Sequence, residues 1–187
     1  MSETFPMAAS STDQLEQAVG EHSRVLYAIA YSVLRNHHDA EDATQETFIR
    51  FWRHRKRWVL IRDRQAWLAR TAWRVALDSL RARRAQGDSP ISLSESVEVI
   101  SRLRAAGIPA DEIAVRGEMT ALLDRLIDSL PKDLRHTLRL SLAEDLSSRE
   151  VSAVLGIPEG SVRQRLWQAR QILKEKLSAL LEGKHGR

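Results

Sequence analysis

Residues 146–173 read LSSREVSAVLGIPEGSVRQRLWQARQIL, and this stretch decides how the chain is understood. Ser147-Ser148-Arg149-Glu150 fits the S-x-x-E capping box. In that box the Ser147 hydroxyl accepts from the Glu150 backbone N–H, and the Glu150 side chain returns to Ser147. A short helix over Ser148–Leu155 follows, with Val151, Val154 and Leu155 apolar. Gly156-Ile157-Pro158 then turns the chain, because glycine accepts the left-handed conformation after a helix and proline cannot continue one. A second helix begins at Glu159. Val162, Leu166, Ala169 and Leu173 recur at helical spacing and are expected to face inward. Arg163, Gln164, Trp167, Gln168 and Gln171 are left outside. Helix, tight glycine turn and basic polar helix are the parts of a helix-turn-helix, whose second helix enters the DNA major groove.

The side chains suit that task. Arginine donates bidentately to guanine and glutamine pairs with adenine, which makes Arg163, Gln164, Trp167 and Gln168 the candidate base-reading set. Ser161 stands where a hydroxyl and a backbone N–H meet a phosphate at a helix start. Arg165, Arg170 and Lys174 are candidate phosphate clamps. The competing reading of the same helix is a partner-binding or coiled-coil segment with a solvated basic face.

Working outward, charge is segregated along the chain. Residues 1–50 carry a net −5, residues 51–86 a net +9, residues 87–130 a net −4 and residues 131–187 a net +4. Basic blocks predict contact with a polyanion, and acidic blocks predict a basic partner or an intramolecular one. The 187 residues, 43% hydrophobic and 29% charged, suffice for one ordinary domain or two small ones. The absence of cysteine excludes disulfide scaffolds, thiol catalysis and thiolate zinc sites. No run approaches the ~18 apolar residues of a membrane span. The start MSETFPMAASSTDQ has neither a basic segment nor an apolar one, so a cytoplasmic protein without direct membrane contact is expected.

The remaining periodicity is helical. Leu26, Ile29, Ala30, Val33 and Leu34 form one amphipathic stripe, interrupted at Asn36-His37-His38. A second helix is expected from near Asp39, with Asp39, Glu41 and Asp42 favourably placed against its dipole. Its buried stripe is Ala40, Ala43, Thr47 and Phe51, and Asp42, Gln45, Glu46 and Ile49 share another face. RHRKRWVLIRDR reads as a loop or frayed helix end, and QAWLARTAWRVALDSLRARR as a third helix. QGDSPISLSESVEVISRLRAAGIPA, with its glycines, prolines and serines, reads as a linker. DEIAVRGEMTALLDRLIDSL is a further helix stopped by Pro131, and KDLRHTLRLSLAE another with Leu134, Leu138 and Leu142 at four-residue spacing. The expected fold is therefore all-α, with two small helical domains joined by a flexible linker. The boundaries read as an N-terminal tail over 1–20, a first domain over 21–86, a linker over 87–112 and a second domain over 113–187.

At the level of motifs the chain resembles the extracytoplasmic-function (ECF) sigma factors of the sigma-70 family. The helix-turn-helix resembles region 4.2, matching its pattern at Leu155, Gly156, Ile157, Pro158, Gly160, Ser161, Val162, Arg163, Arg165, Leu166, Ala169 and Arg170. DAEDATQETFIRFW resembles region 2.2 at Asp39, Ala40, Glu41, Asp42, Gln45, Glu46, Phe48 and Trp52. WLARTAWRVALDSLRARR resembles regions 2.3 and 2.4 at Trp67, Leu68, Arg70, Ala72, Asp78 and Arg81, and LPKDLRHTLRL resembles region 4.1. The resemblance spans roughly residues 22–182, in the order of a sigma region 2 bundle followed by a sigma region 4 helix-turn-helix, without regions 1 and 3.

The resemblance implies an initiation factor that binds core RNA polymerase and directs promoter-specific transcription. Region 2.2 would dock on the beta-prime clamp helices through Asp39, Asp42, Gln45 and Glu46, with Ile49 and Trp52 supplying apolar anchor area. Regions 2.3 and 2.4 would recognise and melt the minus-10 element. That work needs cations for phosphates and flat side chains for unstacked bases. Trp58, Trp67, Arg70, Trp73, Arg74, Arg81 and Arg84 are the candidates, with Trp67 serving equally well as a core residue. Region 4 would read the minus-35 duplex through the helix-turn-helix residues named above and would meet the beta flap. The resemblance also implies an anti-sigma factor as partner. Thr71-Ala72-Trp73-Arg74 departs from the I-A-x-N run of many members, and Gln164, Trp167 and Gln168 depart from the usual recognition helix, so promoter preference does not transfer.

Other classes fit less well. A stand-alone helix-turn-helix regulator has no use for the region 2.2 surface. An enzyme would need a site. The paired carboxylates Asp39/Asp42 and Glu144/Asp145 lie at helix ends or exposed positions, and no phosphate loop, nucleophile elbow or dinucleotide fingerprint is present. His37-His38 beside Asp39 is a poor metal site, since adjacent histidines on a helix point apart. No catalytic residue, cofactor or metal is expected. The basic C-terminal helix lacks the bulky apolar face of a membrane-surface helix.

Overall fold

The computed structural model describes residues 10–85, 110–143 and 146–185. The order of elements is α1 (Ser11–Leu34), α2 (His37–Arg53), a 3-10 helix (Arg55–Leu60), α3 (Arg64–Ala85), α4 (Ala110–Asp128), α5 (Lys132–Leu142), α6 (Ser148–Leu155) and α7 (Glu159–His185). No strand occurs among the described residues. The expected linker falls almost wholly outside them, and α4 begins inside its C-terminal end.

The first helix starts well inside the stretch expected to be a tail. Ser10 caps it. The Ser10 N–H donates to Asp13 Oδ2 at 2.9 Å, and the Asp13 N–H returns to Ser10 Oγ at 3.1 Å. Aspartate here plays the part usually given to glutamate, and Ala18, too small to mark a hydrophobic stripe, is fully buried. The chain turns at Arg35, which adopts a left-handed φ of 52°. Asn36 then caps α2 by accepting from the Asp39 N–H at 3.0 Å. The expected interruption is therefore only two residues long, and His37 and His38 belong to the first turn of α2.

Helices α1, α2 and α3 pack around Leu26, Ile29, Leu34, Phe51, Leu68, Ala72 and Ala76. Burial of each large apolar side chain contributes about 1.5–3 kcal/mol. The buried stripe expected for α2, Ala40, Ala43, Thr47 and Phe51, is the observed one. Thr44 and Thr47 satisfy their buried hydroxyls by donating to the carbonyls four residues back, each at 2.7 Å. The stretch after α2, expected to be loop or frayed helix, is an ordered 3-10 helix because Trp58 pins it to the core. The buried Trp58 ring stacks on Phe51 at 4.3 Å between centroids, and its indole N–H donates to the Phe51 carbonyl at 2.9 Å.

The second module gathers Ile127, Leu130, Leu134, Leu138, Val151, Val154, Val162, Leu166 and Ala169. The expected Leu134–Leu138–Leu142 stripe stops early. Leu142 closes α5 and stays 63% exposed, while Leu140, on the face shared with His136, is fully buried. Helix α5 is covered on two sides, by α6 and α7 on one and by α1 on the other. The Ser147 capping box forms as expected, with Ser147 N–H to Glu150 Oε2 at 2.8 Å and Glu150 N–H to Ser147 Oγ at 3.3 Å. Removing it by Ser147→Ala is expected to cost about 1 kcal/mol, read as a lower melting temperature of the full chain.

Candidate nucleic-acid and polymerase-docking surfaces

The acidic face of α2 is built by the burial of the opposite face. With Ala40, Ala43 and Thr47 inward, Asp42, Gln45 and Ile49 point to solvent, and Ile49 is 44% exposed. Glu46 is half-buried and ion-paired to Arg50 at 2.8 Å. Asp39 is engaged elsewhere, in an ion pair with Arg83 that ties the start of α2 to the end of α3. Trp52 is half-buried, with the Arg55 guanidinium 4.9 Å above its ring. The docking set named from sequence thus divides into an open patch, Asp42, Gln45 and Ile49, and a group that also holds the helices together.

The tryptophans expected to face unstacked bases are placed differently from one another. Trp58 is core, for the reasons given above, and its ring is not on the surface. Trp67 is half-buried, 5.8 Å from Phe51 and 5.5 Å from His54. Trp73 is 6% exposed and meets the His136 ring of α5 edge-on at 5.2 Å. Sequence distance hid this contact, since nothing local to Trp73 signals a neighbour from the other module. Burial, reinforced by the charges of Arg135 and Lys132, lowers the His136 pKa to about 4, so its imidazole is neutral at neutral pH. Of the α3 arginines, Arg74, Arg81 and Arg84 are exposed, and Arg81 pairs with Asp78 at 3.1 Å. Arg70 donates to the Ala153 carbonyl of α6.

The helix-turn-helix has the geometry its turn chemistry requires. Gly156 sits at φ 69°, ψ 33°, and its N–H caps α6 by donating to Ser152 O at 2.9 Å. Ser152 Oγ closes the turn by donating to the Ile157 carbonyl at 2.6 Å. Val162 and Ala169 are fully buried and Leu166 nearly so, which turns Arg163, Gln164, Trp167 and Arg170 outward, with Trp167 62% exposed. Gln168 is half-buried and Lys174 exposed. Two of the candidates are committed within the fold. The Ser161 N–H donates to the Pro158 carbonyl at 2.9 Å, which leaves only its hydroxyl for a phosphate. Arg165 pairs with Asp133 of α5 at 3.3 Å, and Arg163 pairs with Glu159 one turn before it at 3.4 Å. Behind the reading face, Leu134, Trp167, Gln168 and Ile172 line an open groove between α5 and α7.

Among the described residues no group of three or more histidines or carboxylates is placed to hold a metal, and no helix is long and apolar enough to cross a membrane. What the surfaces define is a two-part helical DNA-binding protein with a separate acidic docking face.

Comparison with known proteins places that class in a family. Residues 18–86 match the model of sigma-70 region 2, and residues 120–173 match that of sigma-70 region 4. The chain is 30% identical over 149 residues to the ECF RNA polymerase sigma-E factor of Escherichia coli K12, covering 76% of each chain. It is 33% identical over 163 residues to the ECF RNA polymerase sigma factor SigE of Mycolicibacterium smegmatis, where the match takes in 87% of this chain and spans only 61% of that relative's length. Among solved structures it is similar to CnrH in complex with the cytosolic domain of CnrY, with a TM-score of 0.59, 25% identity and 90% coverage of both chains. The chain belongs to the ECF RNA polymerase sigma factors.

Proposed function

We propose that this protein docks on core RNA polymerase through α2, opens the minus-10 element with α3 and reads the minus-35 duplex with α7. It performs no catalysis of its own, since the polymerase supplies the chemistry, and it works in the cytoplasm. The observation that carries this reading is the open Asp42–Gln45–Ile49 patch on α2 in the same chain as a correctly turned helix-turn-helix. A regulator that bound DNA alone would have no use for that patch.

At minus-35, Arg163, Gln164 and Trp167 are the outward residues of the first two turns of α7, and base edges are met by this part of a recognition helix. Arg170 and Lys174 lie further along and supply phosphate contacts. Arg165 and Ser161 help chiefly by fixing α7 on the module. At minus-10, Arg74, Arg81 and Arg84 neutralise phosphates, and Trp67 is the half-exposed ring available for stacking. Trp73 joins it once the α5 contact is removed, and Arg70 is freed by the same movement. Asp39 and Glu46 contribute to docking while holding Arg83 and Arg50. The groove beside Trp167 suits a helical element of the polymerase flap. The complex of CnrH with the cytosolic domain of CnrY supports a regulatory protein partner of comparable kind, which we read as an anti-sigma factor.

The base-reading assignment is tested by Arg163→Ala. The substitution is expected to cost about 1–3 kcal/mol in binding the cognate minus-35 duplex and to relax preference at one base pair. An equal loss on every sequence would make Arg163 a phosphate contact instead.

A further inference from the structure

The two modules touch through a small set of polar and aromatic contacts, and these fall on the surface assigned to the minus-10 strand. Arg70 of α3 is bound to the Ala153 carbonyl of α6. Gln65 Nε2 of α3 donates to Glu150 Oε1 of α6 at 2.9 Å. His136 of α5 covers the Trp73 ring. On the other side, Arg35 at the end of α1 pairs with Asp124 of α4 at 2.6 Å, both about one-third exposed. Arg139 of α5 donates to the Ser32 carbonyl of α1 at 3.2 Å while pairing with Asp128 of α4 at 2.8 Å.

Arg35 is the revealing residue. It ends α1 at a left-handed φ of 52°, where glycine is the residue without steric cost. The arginine spends its side chain on Asp124 of the other module and lies 5.5 Å over the Tyr31 ring. This arrangement is incompatible with reading both promoter elements. Minus-35 and minus-10 lie about 25 base pairs apart, roughly 85 Å at 3.4 Å per step. Here α3 and α6 are in direct contact. The 24 residues from 86 to 109 supply up to about 80 Å of chain when extended, so separation is within reach. The contacts are polar and few, as expected of an interface that opens.

We infer that the Arg35–Asp124 pair and the His136–Trp73 contact form a latch that closes the free chain on itself, masking the minus-10 surface while leaving the minus-35 helix exposed. The masking rests on the minus-10 assignment proposed above; the closure itself does not. The closed chain is a self-restrained state that core polymerase must open, and it requires no second protein.

The absence of cysteine makes the full chain convenient for distance measurement. Spin labels at Glu41→Cys on α2 and Ser178→Cys on α7, both exposed, report separation of the modules. The same proteins are titrated with a fluorescent mixed-sequence single strand of about 20 nucleotides. The labelled parent chain should show one short distance. Arg35→Asp should lengthen it and raise single-strand affinity at least about five-fold, although it removes positive charge and by simple electrostatics would weaken binding. The swap Arg35→Asp with Asp124→Arg should restore the short distance and the weak binding. His136→Ala, which leaves the ion pair intact, should act like Arg35→Asp, and circular dichroism checks that each variant remains helical. A parent chain that is already long, or a short one unmoved by either variant, overturns the latch. A lengthened distance with no gain in affinity overturns the masking and points to the minus-10 assignment as the failed premise.

Discussion

Core polymerase is expected to lose this protein when Asp42→Arg is combined with Ile49→Asp: co-elution on size exclusion should vanish, with affinity reduced by at least about a hundred-fold. Both side chains are exposed on α2 and make no core contact, so the fold should be disturbed by no more than about 0.5 kcal/mol. An interface places a large demand on such residues. Loss of a desolvated charge contact costs about 2–5 kcal/mol, and burying a new carboxylate where Ile49 supplied apolar area adds to it. Asp39 is avoided on purpose, since its removal would release Arg83 and loosen α2 from α3. Unchanged helicity and unchanged minus-35 duplex binding by the double variant would localise the loss to docking.

Phe51→Ala should produce the largest loss of stability in the chain, about 3–5 kcal/mol. Phe51 is fully buried, carries Trp58 on its face at 4.3 Å, and lies 5.8 Å from Trp67 and 5.7 Å from the Arg64 guanidinium. Truncation leaves a cavity where four elements meet and removes the anchor of the 3-10 helix. A small domain holds only about 5–15 kcal/mol in total, so the first module should be largely unfolded at modest denaturant while the second retains its helices. Tryptophan emission followed through a urea titration gives the measurement: Trp52, Trp58, Trp67 and Trp73 report the first module, and Trp167 the second.

Local patterns were legible in the sequence where local physics decides. The Ser147–Glu150 box, the Gly156 turn and the inward set Val162, Leu166 and Ala169 depend on neighbours within a helical turn or two, and all are as the spacing predicts. The exposed face of α2 follows from its buried stripe in the same way. What escaped were features set by distant residues. Trp58 reads as one more aromatic in a basic run, but the Phe51 carbonyl and ring draw it inside. Leu140 looks like the wrong face of α5 until α1 covers it. The start of α1 was missed because its box uses Asp13 and its buried residue is an alanine. The module contacts through Arg35, His136 and Arg139 join residues some 60 to 110 positions apart and leave no periodic trace. As a result, the minus-35 surface was read nearly complete, while the minus-10 set mixed surface arginines with a core tryptophan.

The central claim is tested most directly by transcription itself. Purified protein is added to sigma-free bacterial core polymerase with a library of genomic fragments, and run-off transcripts are sequenced. The account predicts new transcripts that start at defined positions, share upstream elements near minus-10 and minus-35, and disappear with the Asp42→Arg, Ile49→Asp variant. Binding of the protein to fragments with no transcript dependent on it would contradict the account and leave a DNA-binding regulator whose α2 surface serves another partner.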